Sequence, residues 1–317
     1  MPVEPTILTN TALATLRTCP RKYRNRYVLR LARKRRATPL RFGSAHHKGL
    51  ELQVKMPGQS TETILAGVMA AYDTCPQWAD PVEWTVERET LRQLLAGHFW
   101  RYSQDNLQFL AVELSFEIAL VDPSTGRESR HFRLAGKIDA IVALMPDGRV
   151  AVLEYKTAGE DIGPSSDYWP RLRCDGQISL YVLAARALGH DAAAVIYDVT
   201  RKPTIRLRQN ETPEAYSQRL CADIDARPDY YYQRREVPRL EDELAEFQLE
   251  LWQQAQSLQE SMRCDRWYRN VSKMTCGNCE FSELCFNNCR IDPNCPPSGF
   301  EFLPDAHPEL SPSGESQ

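Results

Sequence analysis

No run of about 18 apolar residues occurs anywhere in the chain, and Met1 to Thr11 lacks a basic patch leading into an apolar stretch. Neither a membrane span nor an export signal is therefore expected, and the protein is read as intracellular, in the cytoplasm. No internal repeat is visible. The net charge of −3 gives no general attraction to nucleic acid, and 42% hydrophobic with 26% charged residues excludes disorder as the default. In a reducing compartment ten cysteines do not form a disulfide framework; they are metal ligands or small buried hydrophobes, and six lie between Cys264 and Cys295.

What is there is unevenly placed. Arg17 to Arg41 contains no acid, yet it carries Arg17, Arg21, Lys22, Arg24, Arg26, Arg30, Arg33, Lys34, Arg35, Arg36 and Arg41, with Tyr23 and Tyr27 between them. Such a patch suits a phosphate backbone, and equally a solvated helix face. Thr9-Asn10-Thr11 can cap a helix bearing Leu13, Leu16 and Tyr23, and another helix starts after Gly43. Residues 61 to 110 read as helical, an insert spanning about 52–110.

From Val112 the period changes. "VELSFEIALV" and "HFRLAGKIDAIVAL" read as paired strands, and Asp147-Gly148 turns the chain into "VAVLEYKTAG". In that strand Glu154 and Lys156 are two apart and share a face, and the hairpin brings Asp139 level with them. "DGQISLYVLAARALG" is a helix with Asp175 at its start, Gly189 past its end, and Gln177 and Tyr181 on one face. "AAVIYDV" supplies another buried strand, ended by Arg201-Lys202-Pro203. The result is an α/β fold, a central mixed β-sheet flanked by helices. Residues 212 to 270 read as mostly helical and the stretch from about Pro296 as a loose tail.

Two acids brought together at strand ends repel, and a divalent cation with oxygen ligands, magnesium or manganese, relieves that cost. A neighbouring lysine can orient water or stabilise charge on a phosphate. His47 in "FGSAHHKGLE", Asp139 in "GKIDAIV", Glu154 and Lys156 in "LEYKTA", then Gln177 and Tyr181, in this order, resemble the PD-(D/E)XK nuclease superfamily. Within it they resemble the RecB-type branch that includes the iron-sulfur nucleases of CRISPR adaptation and recombination. The likeness implies a restriction-endonuclease-like core, His47, Asp139 and Glu154 around Mg²⁺ or Mn²⁺, Lys156 as the catalytic lysine, and Gln177 with Tyr181 as supporting catalytic residues. It implies a deoxyribonuclease leaving a 5′-phosphate, expected to act as an exonuclease on single-stranded or end-containing DNA in recombination, repair, phage or CRISPR-related processing. Ile138 stands where the superfamily name has proline, and His46 offers a second imidazole beside His47.

"CGNCEFSELC" places Cys276, Cys279 and Cys285 at short spacings. By the same resemblance Cys19, in "TCPRKY", is their fourth partner around a [4Fe-4S] cluster that closes the chain on itself. Zinc remains the alternative, with Cys289 and Cys295 able to complete a local site. Cys75, Cys174, Cys221 and Cys264 are expected to be packed thiols. The expected domains are a nuclease core over 1–210, a helical and cysteine region over 211–296, and a tail over 297–317. Arg21, Lys22, Arg24, Arg201 and Lys202 are candidate DNA contacts, with Arg201-Lys202-Pro203 equally a plain turn, and Tyr168 or Trp169 is available to stack on a base. Two rival readings stay open: a catalytically silent nucleic-acid-binding scaffold, and a zinc-binding regulatory protein.

Overall fold

A computed structural model describes residues 4–34 and 38–310. Arg35 and Arg36 of the basic run and residues 311–317 of the expected tail lie outside them. In chain order the elements are β1 (Thr6–Leu8), α1 (Asn10–Thr18), α2 (Pro20–Tyr23), β2 (Leu31–Arg33), α3 (Thr38–Lys55), α4 (Thr61–Met69) and α5 (Pro81–Arg101). The strands β3 (Leu107–Val121), β4 (Glu128–Leu144) and β5 (Arg149–Ala158) follow, then α6 (Tyr168–Leu172), α7 (Gly176–Ala187) and β6 (Ala192–Arg201). The chain continues through α8 (Pro213–Ala226), α9 (Pro228–Tyr231), β7 (Tyr232–Pro238), α10 (Glu241–Cys264), α11 (Lys273–Gly277), α12 (Ser282–Phe286) and β8 (Phe300–Phe302). Among the described residues no helix is long and apolar enough to cross a membrane.

The chain divides into two compact units. One takes in residues 37–114 and 138–239 and holds the larger core. In it the end of β4 pairs antiparallel with β5 about a turn in which Gly148 adopts a φ of +72°, a left-handed conformation that glycine tolerates without strain. β5 pairs parallel with β6, and β6 antiparallel with β7, so the sheet is mixed. Leu153, Tyr155 and Ile196 on one sheet face join Leu50 of α3, Leu91, Leu94 and Leu95 of α5, and Tyr216 and Leu220 of α8 in one core. α3 sits close on α5, because a Cβ on Gly49 would fall 2.6 Å from a Leu95 methyl. That close approach fixes the helix that carries His46 and His47.

The other unit takes in the described parts of 1–36, 115–137 and 240–317. Here β1 pairs parallel with Phe132–Leu134 of β4, and β2 pairs antiparallel with β8 around Leu31, Phe281, Leu284 and Phe300. The basic run is largely engaged within this unit: Arg21 Nε donates to Trp267 O (3.0 Å), Arg30 to Pro304 O (2.9 Å) and Arg33 Nε to Glu280 O (2.9 Å).

Several expectations are corrected. Leu107 to Leu110 begin a strand rather than end a helix, because alternating exposure along β3 outweighs the helical pattern before it. β7, inside the stretch read as helical, was hidden by its charges: "YQRREVP" has Arg234, Arg235 and Glu236 where a central strand would be apolar. Part of the expected loose tail is ordered, since Phe300 is buried and its strand pairs with β2. Cys174 and Cys221 are exposed and Cys75 and Cys264 half-buried, so none of the four is a fully packed thiol.

A buried ionic knot spans α5, β6 and β7. Asp198, 1% exposed, accepts from His98 Nε2 at 2.9 Å and from Arg234 Nη2 at 2.6 Å, and Arg234 also meets Asp105. Burial opposes the Asp198 charge, but His98 and Arg234 outweigh it and hold the carboxyl well below the usual range. Because the folded chain binds that proton more weakly than the unfolded chain, the stabilisation is fully present above about pH 4 and is lost on acidification below it. Asp198→Ala leaves the largely buried Arg234 guanidinium without one of its two carboxylates, and a loss of about 3–5 kcal/mol is expected in urea unfolding at pH 7; a loss below about 1 kcal/mol would show the pair to be dispensable.

Candidate active site and cysteine cavity

The ladder between β4 and β5 ends at the pair Ala140 and Leu153. At the next step Asp139 supplies a side-chain acceptor, its Oδ2 taking the Tyr155 backbone N–H at 2.9 Å. Its Oδ1 faces His47 Nδ1 at 3.4 Å. Glu154, 3% exposed, turns one oxygen to a polar set: Oε1 accepts from Lys156 Nζ at 2.6 Å and from Gln177 Nε2 at 2.9 Å. Lys156 also donates to Gln177 Oε1 (2.8 Å), and Gln177 Nε2 to the Tyr181 hydroxyl (3.0 Å). Gln177 and Tyr181 meet because they are four apart on α7. Within one unit, contacts thus join His47 to Asp139, and Glu154, Lys156, Gln177 and Tyr181 to one another, while the Asp139 bond to the Tyr155 N–H sets the first pair beside Glu154.

The electrostatics are unbalanced at one atom. Glu154 Oε2 is buried with no hydrogen-bond partner among the described residues. Burial, and then the Asp139 charge, push the Glu154 carboxyl up to about 7, against the opposing pull of Lys156. Burial acts on Asp139 in the same sense, but His47 and the Tyr155 N–H outweigh it and the net direction is down. His47 is raised, since the Asp139 charge overcomes its desolvation, and Lys156 is raised by Glu154 for the same reason. Two carboxylates, an imidazole and an orphaned carboxylate oxygen fit a hard divalent cation. As the side chains stand they satisfy one another instead: among the described residues no three His, Cys, Asp or Glu are gathered tightly enough to hold a single metal ion.

A second tier that the sequence reading missed sets Gln177. Asp175 Oδ1 caps α7 by accepting the Gln177 backbone N–H at 2.9 Å, and its Oδ2 accepts from the Tyr197 hydroxyl at 3.2 Å. Arg239, 3% exposed, donates to Leu172 O at 2.7 Å in the turn before that helix. The only signal in the sequence was the cap at Asp175; Tyr197 and Arg239 lie in stretches whose patterns show only a strand and its end.

The other candidate residues are placed as follows. Arg201 bonds Asp161 (2.7 Å) and lies 4.0 Å over the Tyr230 ring, while the Lys202 ammonium lies 4.8 Å over Phe42. Arg21 is tied to Trp267, Arg24 Nε reaches Asp265 at 3.5 Å, and Lys22 lines the cysteine cavity. Tyr168 and Trp169 are buried, and the Trp169 indole N–H bonds Ile162 O at 2.9 Å, so neither ring is available for stacking. That expectation is corrected: the aromatic pair packs the loop before α7.

In the other unit Cys19, Cys276, Cys279 and Cys285 line one cavity of about 300 Å³, with Phe281 and Phe286. Cys19 is buried at the junction of α1 and α2, and its sulfur accepts from the Asn270 N–H at 3.5 Å. Burial pushes the Cys279 and Cys285 thiols up, and both feel Cys19. Cys289 and Cys295 are exposed and do not line the cavity.

This mixed sheet, with acids and a lysine on adjacent strands just past the last β4–β5 ladder pair and a glutamine and tyrosine on the following helix, defines a nuclease-type α/β protein. A family model described as the PD-(D/E)XK nuclease superfamily matches residues 7–286, and the chain belongs to that superfamily. No curated protein matches it.

Proposed function

We propose that the protein is a metal-dependent deoxyribonuclease that hydrolyses phosphodiester bonds at the Asp139–Glu154–Lys156 site, acting as an exonuclease on single-stranded or end-containing DNA. The observation that carries this reading is the buried Glu154 carboxylate, one oxygen shared by Lys156 and Gln177 and the other without a partner. His47, Asp139 and Glu154 would hold Mg²⁺ or Mn²⁺, which when bound supplies positive charge to a phosphate and lowers the proton affinity of water. Lys156 has three N–H donors, of which Glu154 and Gln177 take two, leaving one for a water or a phosphate oxygen. Gln177 holds that ammonium at a fixed height, and Tyr181 holds Gln177. Lys202, which faces no carboxylate in ion-pair range among the described residues, is the better placed of the candidate DNA contacts on this unit. RecB-type kinship is part of the same proposal, and so is a place in recombination, repair, phage or CRISPR-related processing.

The test is cleavage of labelled single- and double-stranded DNA, marked in turn at each end, with Mg²⁺ and with Mn²⁺. Wild-type protein shortens it from an end, while Glu154→Ala and Lys156→Ala cleave at least about 100-fold more slowly and still bind. Undiminished cutting by either variant rules the site out. DNA binding by the wild type without metal-dependent cleavage favours the scaffold reading.

We propose further that Cys19, Cys276, Cys279 and Cys285, which line one cavity, hold a [4Fe-4S] cluster, with zinc as the alternative. Four thiolates on one zinc ion, each about 2.3 Å from it, lie within roughly 4 Å of one another. A [4Fe-4S] cluster is larger and spreads its thiolates further apart, and all four cysteines line one cavity of about 300 Å³. Its role would be structural, tying the start of the chain to residues 276–285. Protein purified without oxygen is expected to be brown, with about four iron atoms per chain, and to lose iron in Cys19→Ser and Cys279→Ser. A colourless protein with stoichiometric zinc contradicts the cluster.

A further inference from the structure

Behind β5, on the side of the sheet covered by α3 and α5, five side-chain polar atoms are buried without a partner: His46 Nδ1 and Nε2, His98 Nδ1, Asp198 Oδ1 and Thr200 Oγ1. All four residues are at most 2% exposed. They are neighbours. The His98 ring bonds Asp198 through its other nitrogen at 2.9 Å, and the His46 and His98 rings lie edge-on, 6.3 Å between centres. His46 feels the charges of Asp198, two residues before Thr200 on the same face of β6, and of Lys202, just past the end of that strand. His46 therefore lies against the stretch of β6 that presents the Thr200 hydroxyl.

Native interiors leave few such atoms unmatched, and here five belong to four neighbouring residues that outline a candidate polar chamber. The set does not suit a metal, for no group of three His, Cys, Asp or Glu is drawn together among the described residues. It does suit water, which takes two to four hydrogen bonds and here meets donors and acceptors of both kinds: a carboxylate oxygen, a hydroxyl and three ring nitrogens.

We infer that His46, His98, Asp198 and Thr200 enclose an internal water site, and that this water joins α3 to β6. The two adjacent histidines then divide their work by direction. His47 faces Asp139. His46, about 100° round α3 from His47, turns its ring toward His98 and sets the rotation of the helix, so it acts as a positioning residue for His47. Both ring nitrogens of His46 are unpartnered, and an imidazole can hydrogen-bond a water through either. The water site stands or falls independently of any cleavage activity.

A crystal structure of the whole chain, at a resolution that shows ordered solvent, tests this directly. Expected is at least one buried solvent peak within about 3.2 Å of two or more of the five atoms. A chamber without solvent, or one whose side chains have paired directly with each other, overturns the inference. Thr200→Val removes one partner while keeping the volume, and is expected to lower Tm by on the order of 3 °C. With the site already dried by His46→Leu, the same change should cost nothing. An equal fall in both backgrounds would show that the two residues share no water; if His46→Leu protein does not fold, the solvent peaks decide.

Discussion

A carboxylate taken out of water in the middle of a core strand, just past the last β4–β5 ladder pair, is the constraint on which the candidate site depends. Glu154 cannot relax toward solvent, because β5 lies between β4 and β6 and α7 covers its side chain. Lys156 and Gln177 match one of its oxygens, and Asp139 on the neighbouring strand adds a second negative charge nearby. The remaining oxygen has no hydrogen-bond partner among the described residues, and a fold that keeps such a group in its interior gives up stability for it.

The rest of the larger unit holds that arrangement still. On one side of the sheet Tyr197, Asp175 and Arg239 fix the start of α7, and with it Gln177. On the other, Gly49 lets α3 approach α5 closely while Asp198 is clamped between His98 and Arg234. Both supports use directional side-chain hydrogen bonds, which define a geometry more narrowly than apolar packing does. The smaller unit shows a parallel economy: arginines that look like a nucleic-acid surface in the sequence mostly donate to backbone carbonyls and pin the C-terminal segment.

Much of this was legible beforehand, because the strongest signals are local. The Asp147-Gly148 turn sets the β4–β5 register, which places Asp139 one step beyond the last ladder pair and so beside Glu154. The spacing of four between Gln177 and Tyr181, and the cap at Asp175, follow from helix geometry alone. The family model then matched the chain over the same residues. What stayed hidden depends on distant partners. β1 and β2 are three residues each, too short to show a period, and exist because β4 and β8 pair with them. β7 is charged because it lies at a sheet edge, where Arg234 can reach Asp198 and Asp105. Trp169 looked like a stacking surface only because sequence does not reveal that its indole N–H is already held by Ile162. Asp198, an acid inside an apolar strand like Glu154, was the one readable clue to the buried knot.

Direct binding of Mn²⁺ to the DNA-free protein at neutral pH, followed by titration calorimetry, bears most closely on the central claim. Wild-type protein should take up the ion, and Asp139→Asn and Glu154→Gln should each bind it at least about tenfold more weakly while remaining folded. Equal affinity in all three proteins would mean that the two carboxylates share no cation, and the site would lose its chemical basis.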